Sequence, residues 1–163
     1  GTDNFNWHTD AGESLRNIRV TANSLPINLK IQFFLTDIKE EDRANFCVVP
    51  NSHRKKFPES GIPRGSNPPG AVQLCVEAGD AAIFPYSLWH SVSPNLGDTV
   101  RRSVTFRYGQ MWCRPYDYGF APPALLDRLS PRRRRLLGDL GPNSRPTDYY
   151  KPEDQLEVLG VYQ

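Results

Sequence analysis

The chain has 163 residues, of which 38% are hydrophobic, 11% aromatic and 23% charged, and its net charge is +2. That length suits one domain or part of one, and the balance of 20 basic against 18 acidic residues argues against a nucleic-acid partner. The longest apolar run, around Phe33-Phe34-Leu35, is far too short to span a bilayer, so no membrane partner is expected. The first six residues are polar and lack the basic and apolar regions of a signal peptide. Cys47, Cys75 and Cys113 are odd in number, widely spaced and form no C-x-x-C pair. They read as reduced, buried thiols of a cytoplasmic protein.

Fifteen prolines and twelve glycines punctuate the chain, which favours short strands joined by turns over a helical bundle. The chain opens as a loop carrying His8-Thr9-Asp10. A strand is expected over about Leu29 to Thr36, with Lys30, Gln32 and Phe34 on one face and Ile31, Phe33 and Leu35 on the other. Asp37 to Asn45 is a charged connection. Phe46 to Val49 reads as a strand, stopped by Pro50-Asn51-Ser52-His53. Lys55 to Pro69 is polar, rich in Pro and Gly, and reads as a long surface loop. Ala71 to Val76 and Ala81 to Phe84 are two more strands, separated by a tight turn in which Gly79 is free to take positive φ. Leu88 to Val92 and Arg101 to Tyr108 complete the set. In the last, Arg101, Ser103, Thr105 and Arg107 share one face.

Beyond Gln110 the character changes. Pro122 to Leu126 begins a helical segment, Ser130-Pro131 fits an N-cap followed by Pro at the first helical position, and Gly138 fits a stop. Two parts follow: residues 1–110 as a β core and residues 111–163 as a helical and irregular extension of the same domain. Many short strands with late helix point to an all-β sandwich or jelly roll. Ile31, Phe33 and Leu35 need a cover that this chain supplies only sparsely. The covering layer is therefore expected upstream, in a domain truncated at its N-terminus.

Three elements carry chemistry. His8 and Asp10 stand two apart, so on a strand both side chains reach the same side; alone, the pair reads equally as a loop histidine beside a capping aspartate. His90, in Leu88-Trp89-His90, is by itself a core histidine as readily as a ligand. Together, His8, Asp10 and His90 make a 2-His-1-carboxylate set, which leaves adjacent positions open and suits non-haem Fe(II). Arg101 presents a planar fork that matches a carboxylate; its alternative is a surface arginine, which Arg102 is taken to be. The polar face of Arg101, Ser103, Thr105 and Arg107 lines either solvent or a polar cavity.

The order H-x-D at His8, F-F-L-T-D at Phe33, V-V-P-N-S-H at Val48, A-G-D-A-A-I-F at Ala78, W-H-S-V-S-P-N at Trp89 and R-R-S at Arg101 resembles the phytanoyl-CoA dioxygenase family over roughly residues 7 to 110. The resemblance implies a double-stranded β-helix, a cupin-like jelly roll holding Fe(II) and 2-oxoglutarate. It implies that His8, Asp10 and His90 bind the iron and that Arg101 pairs with the distal carboxylate of 2-oxoglutarate. It implies a hydroxyl contact from Ser103, as in the R-x-S pattern of other 2-oxoglutarate oxygenases; Gln32 stands where relatives often place an inward tryptophan and either hydrogen-bonds the cosubstrate or fills space. Asn95 matches an asparagine often seen between the histidine and the arginine. The family's serine two positions after the distal histidine is Val92 here, flanked by Ser91 and Ser93. Asn51 replaces a glycine in the turn before His53, and His53 reads as a turn residue. Asp10 favours hydroxylation over halogenation, because related halogenases lack this acid.

The implied activity is hydroxylation of an unactivated C–H bond of a small-molecule substrate, consuming O2 and 2-oxoglutarate and releasing succinate and CO2. The alternatives are a cupin-type metal-dependent isomerase or lyase and a non-catalytic pseudo-oxygenase that only binds. Arg43, Lys55, Lys56 and Arg64 are candidates for an acidic substrate, although exposed loop charge explains them as well. Arg114, Tyr116 and Tyr118 are candidates for the mouth of the site. Trp89 and Trp112 read as packing residues, and Arg132 to Arg135 as a solvated helix turn.

Overall fold

The structure, a computed structural model, describes residues 5–10, 21, 23–24, 26–110, 113 and 119–139. Trp112, Arg114, Tyr116, Tyr118 and the tail from Pro142 lie outside the described residues. The chain divides into two compact units, Gly1–Tyr108 and Gly109–Gln163.

In the first unit six strands form two three-stranded sheets. They are β1 (Asn28–Phe34), β2 (Phe46–Val48), β3 (Val72–Gln73), β4 (Ala81–Pro85), β5 (His90–Val92) and β6 (Ser103–Gly109). One sheet has the order β4-β1-β6 and the other β3-β2-β5. β1 runs antiparallel to β4, with Lys30 opposite Phe84 and Gln32 opposite Ala82. β2 runs antiparallel to both its neighbours, and Val48 stands opposite His90.

Alternation along β1 does what a period of two requires. Asn28, Gln32 and Phe34 are buried and Lys30 is half-buried on the same face, while Phe33 and Leu35 stay 38% and 54% exposed. Ile83, Val104 and Phe106 of the same sheet are also exposed. The inner face meets the other sheet through Phe34, Ile38, Phe46, Phe84 and Leu88. A second cluster, Trp7, Cys47, Val49 and Phe57, packs Phe5, Ile62, Ala71 and Trp89 against it. Phe46 and Cys47 are consecutive on β2 and belong to different clusters, so both faces of that strand are covered.

Turns set the strand ends. Asn51 is left-handed at φ 63°, before a single 3-10 turn at Ser52–Arg54, and Gly79 takes φ 103° between β3 and β4. Asn45 is fully buried; its amide donates to the carbonyls of Glu40 and Leu74 and its oxygen accepts from the Arg43 amide, so this polar group is satisfied.

Several expectations need correction. The strand read over Ala71 to Val76 shrinks to Val72–Gln73, with Val76 held only by a bridge to Ile38. Leu88 sits in a turn closed by its amide on the Pro85 carbonyl, so β5 begins at His90. Cys47 is the buried thiol; Cys75 is exposed and Cys113 half-buried, and all three are free. Burial holds the Cys47 thiol up at about 12. Thr105 is exposed although it alternates with Arg101 and Ser103.

The described part of the second unit holds α1 (Pro123–Leu126) and α2 (Pro131–Leu136). Ser130 caps α2 by accepting a bond from the Arg133 amide, Pro131 follows it, and Gly138 takes φ 79° past the end. Arg132 and Arg133 are exposed, and Arg134 pairs with Asp139. Among the described residues no helix is long and apolar enough to cross a membrane.

Candidate metal centre

The segment 5–10 lies alongside β5. The His8 amide donates to the His90 carbonyl at 3.0 Å and the His90 amide returns the bond to His8 at 3.0 Å. Residues that exchange both bonds stand directly opposite in an antiparallel ladder and project to one face. The two imidazoles therefore meet, with ring centroids 4.3 Å apart. Two residues on, the Asp10 amide donates to the Tyr86 carbonyl at 2.9 Å, and the alternation of extended chain returns the carboxylate to the histidine side. One residue before His8, Trp7 points the other way and is 4% exposed in the second cluster, which pins the segment. The result is that one ligand atom from each of His8, Asp10 and His90 lies within 4.8 Å of the others.

The rings are oriented as ligands need. Nδ1 of His8 contacts the Asn6 carbonyl at 2.8 Å, and Nδ1 of His90 contacts the Leu88 carbonyl at 2.9 Å. A carbonyl only accepts, so each Nδ1 carries a proton, which leaves Nε2 as the ring atom available to a metal. Burial against Phe46 and Phe84 pushes the protonation of His90 down to about 4, with the Leu88 carbonyl and Asp10 opposing that shift and His8 and Lys30 reinforcing it. The imidazole is therefore neutral near pH 7. Oδ2 of Asp10 is buried and accepts no hydrogen bond, a demand for positive charge. It lies 3.5 Å from Nε2 of His90 and 2.8 Å from the Lys30 ammonium, an ion-pair contact without hydrogen-bond angles. Two imidazole nitrogens and one carboxylate oxygen within 4.8 Å of one another fit a first-row divalent ion and leave its other positions free. His8 is exposed, so the site opens on that side.

Arg101, Ser103 and Gln32 also come together. The Gln32 amide donates to the Ser103 hydroxyl at 3.1 Å, and the Arg101 guanidinium donates to the same oxygen at 3.4 Å. Arg101 is half-buried, and burial depresses its pKa from the ordinary value. It also lines a cavity of about 320 Å³ with Asp37, Ile38, Lys39, Glu40, Arg43 and Thr99. None of His8, Asp10 and His90 lines that cavity. The connection to them runs along β1: Lys30 touches Asp10 and Gln32 touches Ser103, and two strand residues span about 6.6 Å.

Other candidates fall elsewhere. Ser91 and Ser93 are buried but serve the backbone, accepting from the amides of Asn6 and Asn45. His53 lies in the 3-10 turn, where its carbonyl accepts from Ser87. Asn95 closes its own loop through Gly97 and Thr99. Lys55, Lys56 and Arg64 are exposed, and Arg43 pairs with Glu40. Trp89 packs edge-on to Phe57. Lys30 is the residue that sequence reasoning left out of the site. Its signal was a lysine on the face it shares with Gln32 and Phe34.

The fold is similar to that of HygX from Streptomyces hygroscopicus. The iron-bound HygX structure aligns with a TM-score of 0.54 and 21% identity, covering 68% of this chain and 53% of that one. The HygX structure with nickel, 2-oxoglutarate and hygromycin B bound aligns with a TM-score of 0.50 and 21% identity, covering 67% of this chain and 51% of that one. This chain thus spans about half the length of the HygX chains it matches. No curated protein matches it. The sequence profile described as Phytanoyl-CoA dioxygenase (PhyH) matches residues 1–103, and with the strands of that region paired as two antiparallel sheets around a His-Asp-His cluster, the chain belongs to the phytanoyl-CoA dioxygenase family.

Proposed function

We propose that this chain is the metal- and 2-oxoglutarate-binding part of an Fe(II)-dependent dioxygenase that hydroxylates a small-molecule substrate, with succinate and CO2 as co-products. The observation that carries this reading is the meeting of two imidazoles and one carboxylate within 4.8 Å, brought together from positions some eighty residues apart. In this reading the two sheets are walls of a double-stranded β-helix whose remaining cover belongs to other parts of the domain.

His8, Asp10 and His90 would hold Fe(II), and Arg101, Ser103 and Gln32 would hold the far carboxylate of 2-oxoglutarate. Bound together, iron and 2-oxoglutarate supply the activation of O2 and the oxidative decarboxylation that accompanies hydroxylation. The chain's own share is binding and orientation. The Asn6 and Leu88 carbonyls fix the imidazole tautomers, and Phe46 and Phe84 shield the His90 ring from water. Arg101 offers a fork to a carboxylate, and Ser103 steadies it. The HygX structure that holds nickel, 2-oxoglutarate and hygromycin B supports both the cosubstrate and a small-molecule substrate.

The test is anaerobic addition of Fe(II) and then 2-oxoglutarate. A visible charge-transfer band is expected, and His90→Ala should abolish it. If iron and 2-oxoglutarate both bind and no band appears, the proposed chelation is wrong. Succinate release under oxygen, screened over candidate small molecules, then identifies the substrate.

A further inference from the structure

We propose that Lys30 is a resident counter-cation of the metal site, holding Asp10 when no metal is bound and setting the metal affinity by competing for that carboxylate. This rests on the reading of His8, Asp10 and His90 as the ligand set. Nζ of Lys30 lies 2.8 Å from Oδ2 of Asp10, the same oxygen that lies 3.5 Å from Nε2 of His90. The ammonium thus stands where a metal would draw its anionic ligand. The two side chains are 22% and 14% exposed, so water screens their attraction only in part. Lys30 reaches the site from the inner face of β1, opposite Phe84, and its stem has no other ion-pair partner among the described residues.

The charge count gives the sign. Asp10 and Lys30 are paired at 2.8 Å, so a divalent ion approaches a carboxylate that already has a counter-cation. Without the ammonium it approaches a bare carboxylate. Binding must loosen the Lys30–Asp10 pair and leave a cation beside a dication, and both effects oppose it. The ammonium donates and cannot ligate, so its removal takes nothing from the coordination shell. Its other consequence is structural: the metal-free chain keeps Asp10 paired, and the segment 5–10 stays docked before metal arrives.

The test is calorimetric titration of the full chain with Mn(II) alone, with thermal melts of the same samples. Lys30→Met keeps the apolar stem and removes the charge; Lys30→Arg keeps the charge. Lys30→Met should bind Mn(II) about tenfold more tightly than wild type, a shift in line with one nearby unit charge after screening. It should melt lower without metal and gain more from Mn(II), while Lys30→Arg should follow wild type. Mn(II) affinity that is unchanged or weaker in a folded Lys30→Met overturns the proposal; if that variant fails to fold, Lys30→Gln carries the same expectation. His90→Ala separates the two readings. If His90→Ala abolishes Mn(II) uptake while Lys30→Met changes nothing, only the role of Lys30 fails. If wild type and Lys30→Met both take up no Mn(II), the metal site itself fails and this inference with it.

Discussion

Arg101 separates the readings that the His-Asp-His cluster allows. A 2-His-1-carboxylate set alone serves an isomerase or lyase as well as an oxygenase. A cosubstrate with two carboxylates needs a second anchor beyond the ion. In the proposed function Arg101 takes that part: it is half-buried and donates to the Ser103 hydroxyl, with the Gln32 amide on the same oxygen. A guanidinium keeps its charge even when burial depresses its pKa. Arg101→Ala should weaken 2-oxoglutarate binding by thirtyfold or more, corresponding to about 2–5 kcal/mol for loss of a buried charge pair, and leave Mn(II) affinity within about twofold. Arg101→Lys should recover only part of the loss, because an ammonium cannot form the two-pronged contact. Titration of 2-oxoglutarate into the Mn(II)-loaded chain measures both. Undiminished binding in Arg101→Ala would move the assignment to a metal-dependent enzyme that uses no 2-oxoglutarate, and would give Arg101 to the cavity it shares with Asp37 and Glu40.

Among the elements, the turn between β2 and the long loop is the most sharply specified. Asn51 sits at φ 63° and ψ 3°, a left-handed position that asparagine tolerates better than other residues with a β-carbon. Asn51→Gly should be within about 1 kcal/mol of wild type, and Asn51→Val should lose about 1–2 kcal/mol, read as a shift in the urea midpoint at constant slope. That turn was legible because a backbone requirement selects residue types locally. So was β1, since a period of two puts Lys30, Gln32 and Phe34 on one side whatever lies opposite. Strand limits were less legible. Cys75 looked like part of an apolar strand, but the pairing partner β2 offers only Phe46–Val48, and the ladder ends with it. Where the family's serine follows the histidine by two, this chain has Val92, and Ser91 and Ser93 on either side of it accept from the amides of Asn6 and Asn45. The pairing of Lys30 with Asp10 was beyond reach, because nothing local links two residues twenty apart in the sequence.

At the scale of the molecule, the His8, Asp10 and His90 cluster ties the segment 5–10 to a strand eighty residues later. The segment 5–10 is held by the paired backbone bonds of His8 and His90, the Asp10 amide on Tyr86, the Asn6 amide on Ser91 and the burial of Trp7. Under the proposed function a divalent ion would add three ligand bonds between that segment and β5, and it would bind the folded arrangement alone, since the unfolded chain does not keep the three ligand atoms together. Mn(II) at a hundred times its dissociation constant should therefore add about 2.7 kcal/mol, a rise in melting temperature of roughly 5–10 °C for a chain of this size. Asp10→Ala should show almost none of that rise. Amide exchange locates the effect: protection should grow at His8, Asp10 and His90 and stay constant at Cys47 and Val48, which the inner ladder already holds. A metal that raised the melting temperature equally in wild type and Asp10→Ala would be binding outside this cluster, and the closure of the β core by His8, Asp10 and His90 would have to be abandoned.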